Sequence, residues 1–307
     1  MIPKIHIIAF APSCLRVILF PLIILLFLSC TKQKTQHDGL LIAVSIPPQA
    51  WFVSQIAGDN AQTMILVPPG QNPHNYEPAP RQIQSLSSAD AWILSGSEFE
   101  ITLRPKIESL FPDLLIIDGT DGVQFRLLED HDHNEADHPR SPLSTPHYDR
   151  HTWLGREPAI IMAAHISKTL SLLDNENEMY YNERTDNLVN LIENTFNDLR
   201  NILAPLYGRS VFVYHPSFGY FLDEFGIHQE AVETGGKEPT PRQLNQLMEM
   251  IIEENPAAIF VQAQFPVNAA RTLAAAANAQ VIELDPLAED WLENIIYMGQ
   301  TLANFIQ

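Results

Sequence analysis

Cysteine is nearly absent: the 307 residues hold two, Cys14 and Cys30. No thiol pair is left to cross-link a fold once the amino-terminal segment is set aside, so stability must come from a hydrophobic core, which a chain of this length can bury. Basic residues are also scarce. Eighteen lysines and arginines stand against 37 acids, a formal net charge of -19. That balance repels nucleic acid and anionic membrane surfaces, excluding nucleic acid as a partner, and it favours cations. Long apolar runs are missing too. The run from Val17 to Leu28 is too short for a permanent membrane helix but suits the apolar region of an export signal. There is no repeat of fixed period, no HExxH, and no PCxxC following a histidine, which removes solenoids, the common zinc-protease signature and the deaminase pattern.

What is present starts with that leader. Lys4 and Arg16 precede the apolar run, and Ser29-Cys30 follows it. Residues 1–29 are read as a lipoprotein-type signal peptide, with Cys30 as the lipidated first residue of the mature chain and 30–38 (Cys30 and TKQKTQHD) as a polar tether. Phe27 and Leu28 depart from the usual residues before such a cysteine. The chain is expected outside the cytoplasm, in a periplasm or on the outer face of the cytoplasmic membrane.

Beyond the tether, β-rich runs alternate with helix-like segments, the pattern of parallel sheets covered by helices. Expected strands are Leu40–Ile46, Thr63–Val67, Ala91–Ser95 and Leu114–Asp118 in the first half. The second half offers Ser210–Tyr214, Ile227–Val232, Ala257–Gln262 and Gln280–Leu284. The fold class is α/β: two Rossmann-like lobes, residues 39–156 and 207–307, joined through a helical region 157–206. Its amphipathic stretch Glu176–Leu203 is long enough, at about 40 Å, to be one rigid linking helix. Residues 126–150 form a loop in the first lobe, and five of the eleven histidines, His131, His133, His138, His147 and His151, lie in or directly after it.

Ligands of doubly wound sheets bind beyond the carboxyl ends of strands. His74, His151, His215 and Asp285 all follow strand runs there, and Pro73, Pro216 and Pro286 restrict three of them. Three imidazoles and a carboxylate suit four-coordinate zinc. Taken singly, each is more often a surface or hydrogen-bonded side chain than a metal ligand.

The stretches VPPGQNPHNYEPAPRQIQSLSSADAWILSG at 67–96, HTWLGREP at 151–158, VFVYHPSFGYF at 211–221, GGKEPTPRQL at 235–244 and VIELDPL at 281–287 resemble the metal-specific substrate-binding proteins of bacterial ABC importers, the ZnuA-like cluster A-I group. The resemblance covers nearly all of the chain after the tether. It implies that His74, His151, His215 and Asp285 bind the metal in the cleft between lobes. It also implies a receptor, not an enzyme, that passes its ion to a permease with a cytoplasmic ATPase, and that acts as a monomer. A histidine at 215, where manganese or iron members carry glutamate, points to Zn²⁺ as the transported ligand, with Mn²⁺ or iron the alternative. A surface adhesin and a zinc hydrolase are the remote alternatives. His131, His133 and His138 either collect zinc as an accessory loop or belong to a solvated acidic loop whose histidines bind metal only incidentally. Asp149-Arg150 and Gly155-Arg156 depart from the family pattern around His151, and Gln262 stands where many members have glutamate.

Overall fold

The computed structural model describes residues 39–128, 147–233, 241–254, 256, 258–265, 268–276 and 278–305. Cys30 and the accessory histidines His131, His133 and His138 lie outside them. Among the described residues no helix is long and apolar enough to cross a membrane.

Two four-stranded parallel sheets organise the chain. In the first, β1 (Leu40–Val44), β2 (Ala61–Ile65), β3 (Ala91–Leu94) and β4 (Leu115–Asp118) run in the order β2-β1-β3-β4. In the second, β5 (Ser210–Val213), β6 (His228–Ala231), β7 (Ala258–Val261) and β8 (Gln280–Glu283) repeat it as β6-β5-β7-β8. The shared order puts corresponding strand ends at corresponding places. Val44 pairs with Ile65 and Ile93, and Val213 with Ala231 and Phe260. In both sheets the chain turns away from the centre at the carboxyl ends, where α/β folds place ligands.

Helices α1 (Pro47–Ala57), α2 (Pro80–Ser85) and α3 (Glu98–Leu110) follow β1, β2 and β3; α4 (Arg156–Leu173) and α5 (Glu178–Leu203) connect the halves; α6 (Gly219–Asp223), α7 (Pro241–Glu254), α8 (Asn268–Ala276) and α9 (Trp291–Phe305) serve the second. The linking helix is 26 residues, roughly 39 Å at 1.5 Å per residue. Its apolar face buries Leu188, Ile192, Phe196, Leu199 and Leu203. One core runs past it from Phe52 of α1 to Phe221, Phe225 and Trp291 of the second half, with Phe52 and Trp291 rings 4.9 Å apart. Separate apolar clusters fill the outer faces, around Trp92 and Phe99 in the first half and around Phe212 and Ile259 in the second. A helix that shares its core with both lobes resists independent swinging of either, since packed interiors deform little.

The expected strands match in number and order; β2 is shifted two residues toward the amino terminus, starting at Ala61 rather than Thr63, and the other bounds are unchanged or trimmed by one or two residues. The short α6 is not among the expected elements.

Candidate metal centre

His74 hangs in the long turn after β2. The β2 edge continues through Leu66 N and Val67 N, which donate to Val44 O and Ser45 O at 2.9 and 3.0 Å. Gln82 then pins the turn: its Nε2 donates to Leu66 O, while its Oε1 accepts from Tyr76 Oη and Ala79 N, each at 2.9 Å. Asn72 Oδ1 accepts from His74 N at 2.9 Å, so the side chain of one turn residue fixes the backbone of the histidine.

His215 follows β5 directly. Gln262, after β7, accepts from His215 N at 3.2 Å and donates through Nε2 to His215 O at 2.7 Å and Ser217 Oγ at 2.8 Å. A glutamate could not donate those two bonds. The departure at 262 is therefore a clamp on the ligand-bearing turn rather than a charge removed. Phe265 stacks on the His215 ring, with centroids 4.3 Å apart.

His151 opens the tight turn Thr152–Leu154. Gly155 is needed here: a Cβ would meet Tyr220 Cβ at 3.0 Å. Arg156 reaches Glu193 at 2.8 Å and Glu224 at 3.3 Å. These contacts account for the two departures after His151, and Trp153, whose indole N–H donates to Pro286 O at 2.8 Å, packs edge-on against the imidazole.

The three imidazoles converge. His74 Nε2 lies 2.9 Å from His215 Nε2 and 3.2 Å from His151 Nε2, and the remaining edge is 3.3 Å. A tetrahedral zinc with Zn–N bonds of about 2.0–2.1 Å holds its nitrogens about 3.3 Å apart. Every Nδ1 faces outward onto a carboxylate: His74 onto Glu98 at 2.9 Å, His151 onto Asp149 at 2.7 Å, and His215 onto Glu233. An ionised carboxylate only accepts, so each Nδ1 carries the proton and each Nε2 presents a lone pair to the centre. Three lone pairs at these separations repel unless a cation lies among them. The shape and the tautomers fit a divalent metal.

Sequence reading found the imidazoles but missed Glu98 and Glu233. Both lie just past strand ends, of β3 and β6, where the rule used for ligands would have picked them out had acids been sought as partners. Asp285 behaves differently from expectation. Among the described residues the set whose ligand atoms lie within 4.8 Å of one another is His74, His151 and His215, and Asp285 does not join it. Its Oδ1 accepts from Gln264 Nε2 at 2.8 Å and Leu287 N at 2.9 Å, and its backbone carbonyl accepts from Asn294 at 2.7 Å. A carboxylate two bonds deep in its own turn is held back from the centre. Instead of two ligands from each half, the geometry has two from the first and one from the second. His165 Nε2 donates to Asp121 O at 2.8 Å, a local hydrogen bond away from the centre. Phe218 is core.

Burial grades the site. His151 and His215 are 5% and 4% exposed, whereas the His74 and Glu98 side chains are 23% and 37% exposed. Burial, with the neighbouring His151 and His74, pushes the His215 imidazole well below its usual range. Burial works against the charge of Asp149, yet bonds from His151 and Arg126 outweigh it and hold that carboxyl low; His74 does the same for Glu98. Glu100, buried at the start of α3, accepts from Ser95 N, Ser95 Oγ and Gly96 N at 2.7–2.9 Å. Desolvation pushes it up to about 7.

These shifts give the metal-free protein opposed pH dependences. With His215 depressed in the fold, the unfolded chain binds more protons below about 6.5, so this group's contribution is present above that value and is lost as the pH falls. Glu100 acts oppositely, because its raised pKa costs stability as the pH rises from about 4.5 through 7. Thermal unfolding of metal-free protein between pH 7.5 and 5 is expected to fall less steeply in His215→Gln than in the parent, and more steeply in Glu100→Gln. Parallel curves for all three proteins would contradict these assignments.

Residues 42–305 match the family described as ZnuA, zinc-uptake complex component A, periplasmic. The crystal structure of ZnuA superposes with a TM-score of 0.81 at 33% identity, covering 88% of this chain and 100% of that one. The high-affinity zinc uptake system protein ZnuA of Yersinia pestis is 28% identical over 285 residues, 86% of this chain and 87% of its own length. The manganese ABC transporter substrate-binding lipoprotein PsaA of Streptococcus pneumoniae is 25% identical over 304 residues, 93% of this chain and 94% of its own length.

Proposed function

The chain belongs to the ZnuA family of periplasmic zinc-uptake components, and from that membership we propose that His74, His151 and His215 together hold one zinc ion between its lobes. It is the extracytoplasmic substrate-binding protein of an ABC importer, and the zinc is cargo for the membrane permease and its ATPase. The single observation that carries the site assignment is the convergence of three Nε2 atoms within 3.3 Å, each imidazole backed by a carboxylate.

Such a centre binds and releases without making or breaking covalent bonds in a substrate, and the protein is not an enzyme. Glu98, Asp149 and Glu233 are each engaged by an imidazole Nδ1–H on the side of the ring away from the centre, the place of orienting groups rather than of a general base for a zinc-bound water. Exposure of His74 and Glu98 marks their side as the door through which the ion enters, with His151 and His215 receiving it inside. Nitrogen donors favour zinc, while manganese prefers oxygen; a manganese receptor remains the second reading because PsaA aligns over nearly the full chain.

Anchoring through Cys30 completes the proposal, supported by the apolar run before it and by the lipoprotein named among its relatives. One experiment addresses both parts. Purified from membranes, the protein is expected to bind one zinc per chain and keep it against a 100-fold excess of Mn²⁺, and Cys30→Ser is expected to move it to the soluble fraction. Displacement of zinc by equimolar manganese would favour the second reading, and unchanged membrane association of the variant would reject the anchor.

A further inference from the structure

Arg126 and Asp149 face each other across a short antiparallel bridge. Asp149 N donates to Arg126 O and Leu128 N to His147 O, both at 2.9 Å, around the Leu127–Tyr148 pair. From there the guanidinium works in two directions. Nη1 donates to Asp149 Oδ2 and Nε to Asp223 Oδ2, each at 2.9 Å, and Asp223 belongs to α6 in the second half.

The other oxygen of Asp149 is taken by His151, whose backbone N and Nδ1 approach it at 2.9 and 2.7 Å. One fully buried carboxylate is thus gripped by Arg126 on one side and by an imidazole of the metal centre on the other. Tyr220 closes the arrangement, its hydroxyl accepting from Arg126 N at 3.1 Å and donating to Asp149 O at 3.0 Å. Gly219 makes room for it. A Cβ there would stand 1.7 Å from Arg126 Nη1 and 2.9 Å from Asp149 Oδ2. Gly219 is not among the glycines with positive φ, so the space, not the backbone conformation, is what requires a glycine.

We propose that Arg126 is a positioning residue for metal retention: by fixing Asp149 and reaching Asp223 it locks the His151 ring and ties that ligand to the second lobe. This rests on the reading of His74, His151 and His215 as the metal centre. A carboxylate held at one oxygen only can turn about its Cβ–Cγ bond, and the imidazole it orients turns with it. The Nε2 lone pair then leaves the direction that the ion needs, and outer partners of this kind are worth about 10- to 100-fold in metal affinity.

The test uses the full chain and two different ways of removing the grip: Arg126→Met, and Gly219→Ala, in which the new methyl displaces the flexible end of Arg126 and crowds Asp149 Oδ2 from the same side. Two readouts are taken. One is the rate at which zinc-loaded protein releases its ion to a chromogenic chelator. The other, on metal-free protein, is the ¹⁵N signature of His151, which reports where the ring proton resides. Both variants are expected to release zinc about tenfold faster and to lose the pure Nδ1–H signature, with Arg126→Lys intermediate. Asp223→Asn should change release by about twofold, because that carboxylate is 54% exposed. Release within twofold of the parent in both Arg126→Met and Gly219→Ala, or an unchanged His151 signature in both, overturns the proposal. An effect in Arg126→Met alone overturns it too, by assigning the loss to packing. Failure of the parent to bind zinc defeats the functional reading instead, and the metal-free spectra still decide the role of Arg126.

Discussion

Replacement of His215 by alanine is expected to weaken zinc binding by about 100- to 1000-fold. Apparent free energies for structural zinc of about 10–16 kcal/mol, shared by four ligands, come to roughly 2.5–4 kcal/mol each, and about 1.4 kcal/mol is a factor of ten. The loss should not be recovered by water entering the gap, since His215 is 4% exposed and lies between the stacked Phe265 ring and Gln262. His151→Ala belongs to the same class. His74→Ala should lose somewhat less, because a side chain 23% exposed leaves a place that solvent can reach. Asp285→Ala should lose least, under tenfold, since its Oδ1 is already held by Gln264 and Leu287. Competition titrations against a chelator of known affinity would rank the four. A loss at Asp285 equal to those at the histidines would mean that the carboxylate turns onto the metal and that its present bonds break on binding.

The second large effect concerns side chains that never touch the ion. Glu233→Leu strands the Nδ1–H of His215 in a buried site, which costs the imidazole both its orientation and part of its basicity. A 10- to 100-fold fall in zinc affinity is expected. Asp149→Leu should match it and should also destabilise the fold, because the bond from Arg126 Nη1 to Oδ2 of the fully buried Asp149 carboxylate, at 2.9 Å, is lost. Glu98→Leu should do less, as its carboxylate is 37% exposed and water can accept from His74 in its stead. Equal effects at all three positions would argue that the carboxylates supply net charge rather than orientation.

The fold was legible because the signals were local. Alternating apolar runs and helical spacing placed all eight strands and the linking helix, and proline-rich turns after β2 and β5 marked His74 and His215. The bounds that slipped did so by a residue or two: β2 starts at Ala61, ahead of the apolar run at Thr63, and the helical region expected from residue 157 starts at Arg156. The donors were legible for the same reason: histidine beyond a strand end is rare enough to notice. Their partners were not. Glu98, Asp149 and Glu233 come from three different connections: the sheet order sets β6 beside β5, whose turn carries His215, while β1 separates β3 from β2, so Glu98 meets His74 across the carboxyl end of the sheet. Asp285 shows the converse case. Its position after β8 fits a ligand, yet Gln264 and the Leu287 amide compete for its oxygen, and that competition depends on a side chain 21 residues away.

The substitutions around His151 carry the same lesson. Read as a string, Arg150, Gly155 and Arg156 weaken the match to the family. In three dimensions Arg150 Nη1 donates to Gly96 O at 3.0 Å, tying the His151 segment to the loop that carries Glu98. Gly155 admits Tyr220, and Arg156 bridges Glu193 of α5 and Glu224 directly after α6. The local motif changed while the geometry it serves was kept by other contacts.

The central claim is that one divalent ion sits where three imidazole nitrogens meet. Anomalous diffraction at the zinc edge from crystals of the loaded protein tests it most directly. One peak about 2.0–2.1 Å from the Nε2 atoms of His74, His151 and His215 together is the predicted result; a peak bonded to only two of them, or located elsewhere in the chain, would contradict it.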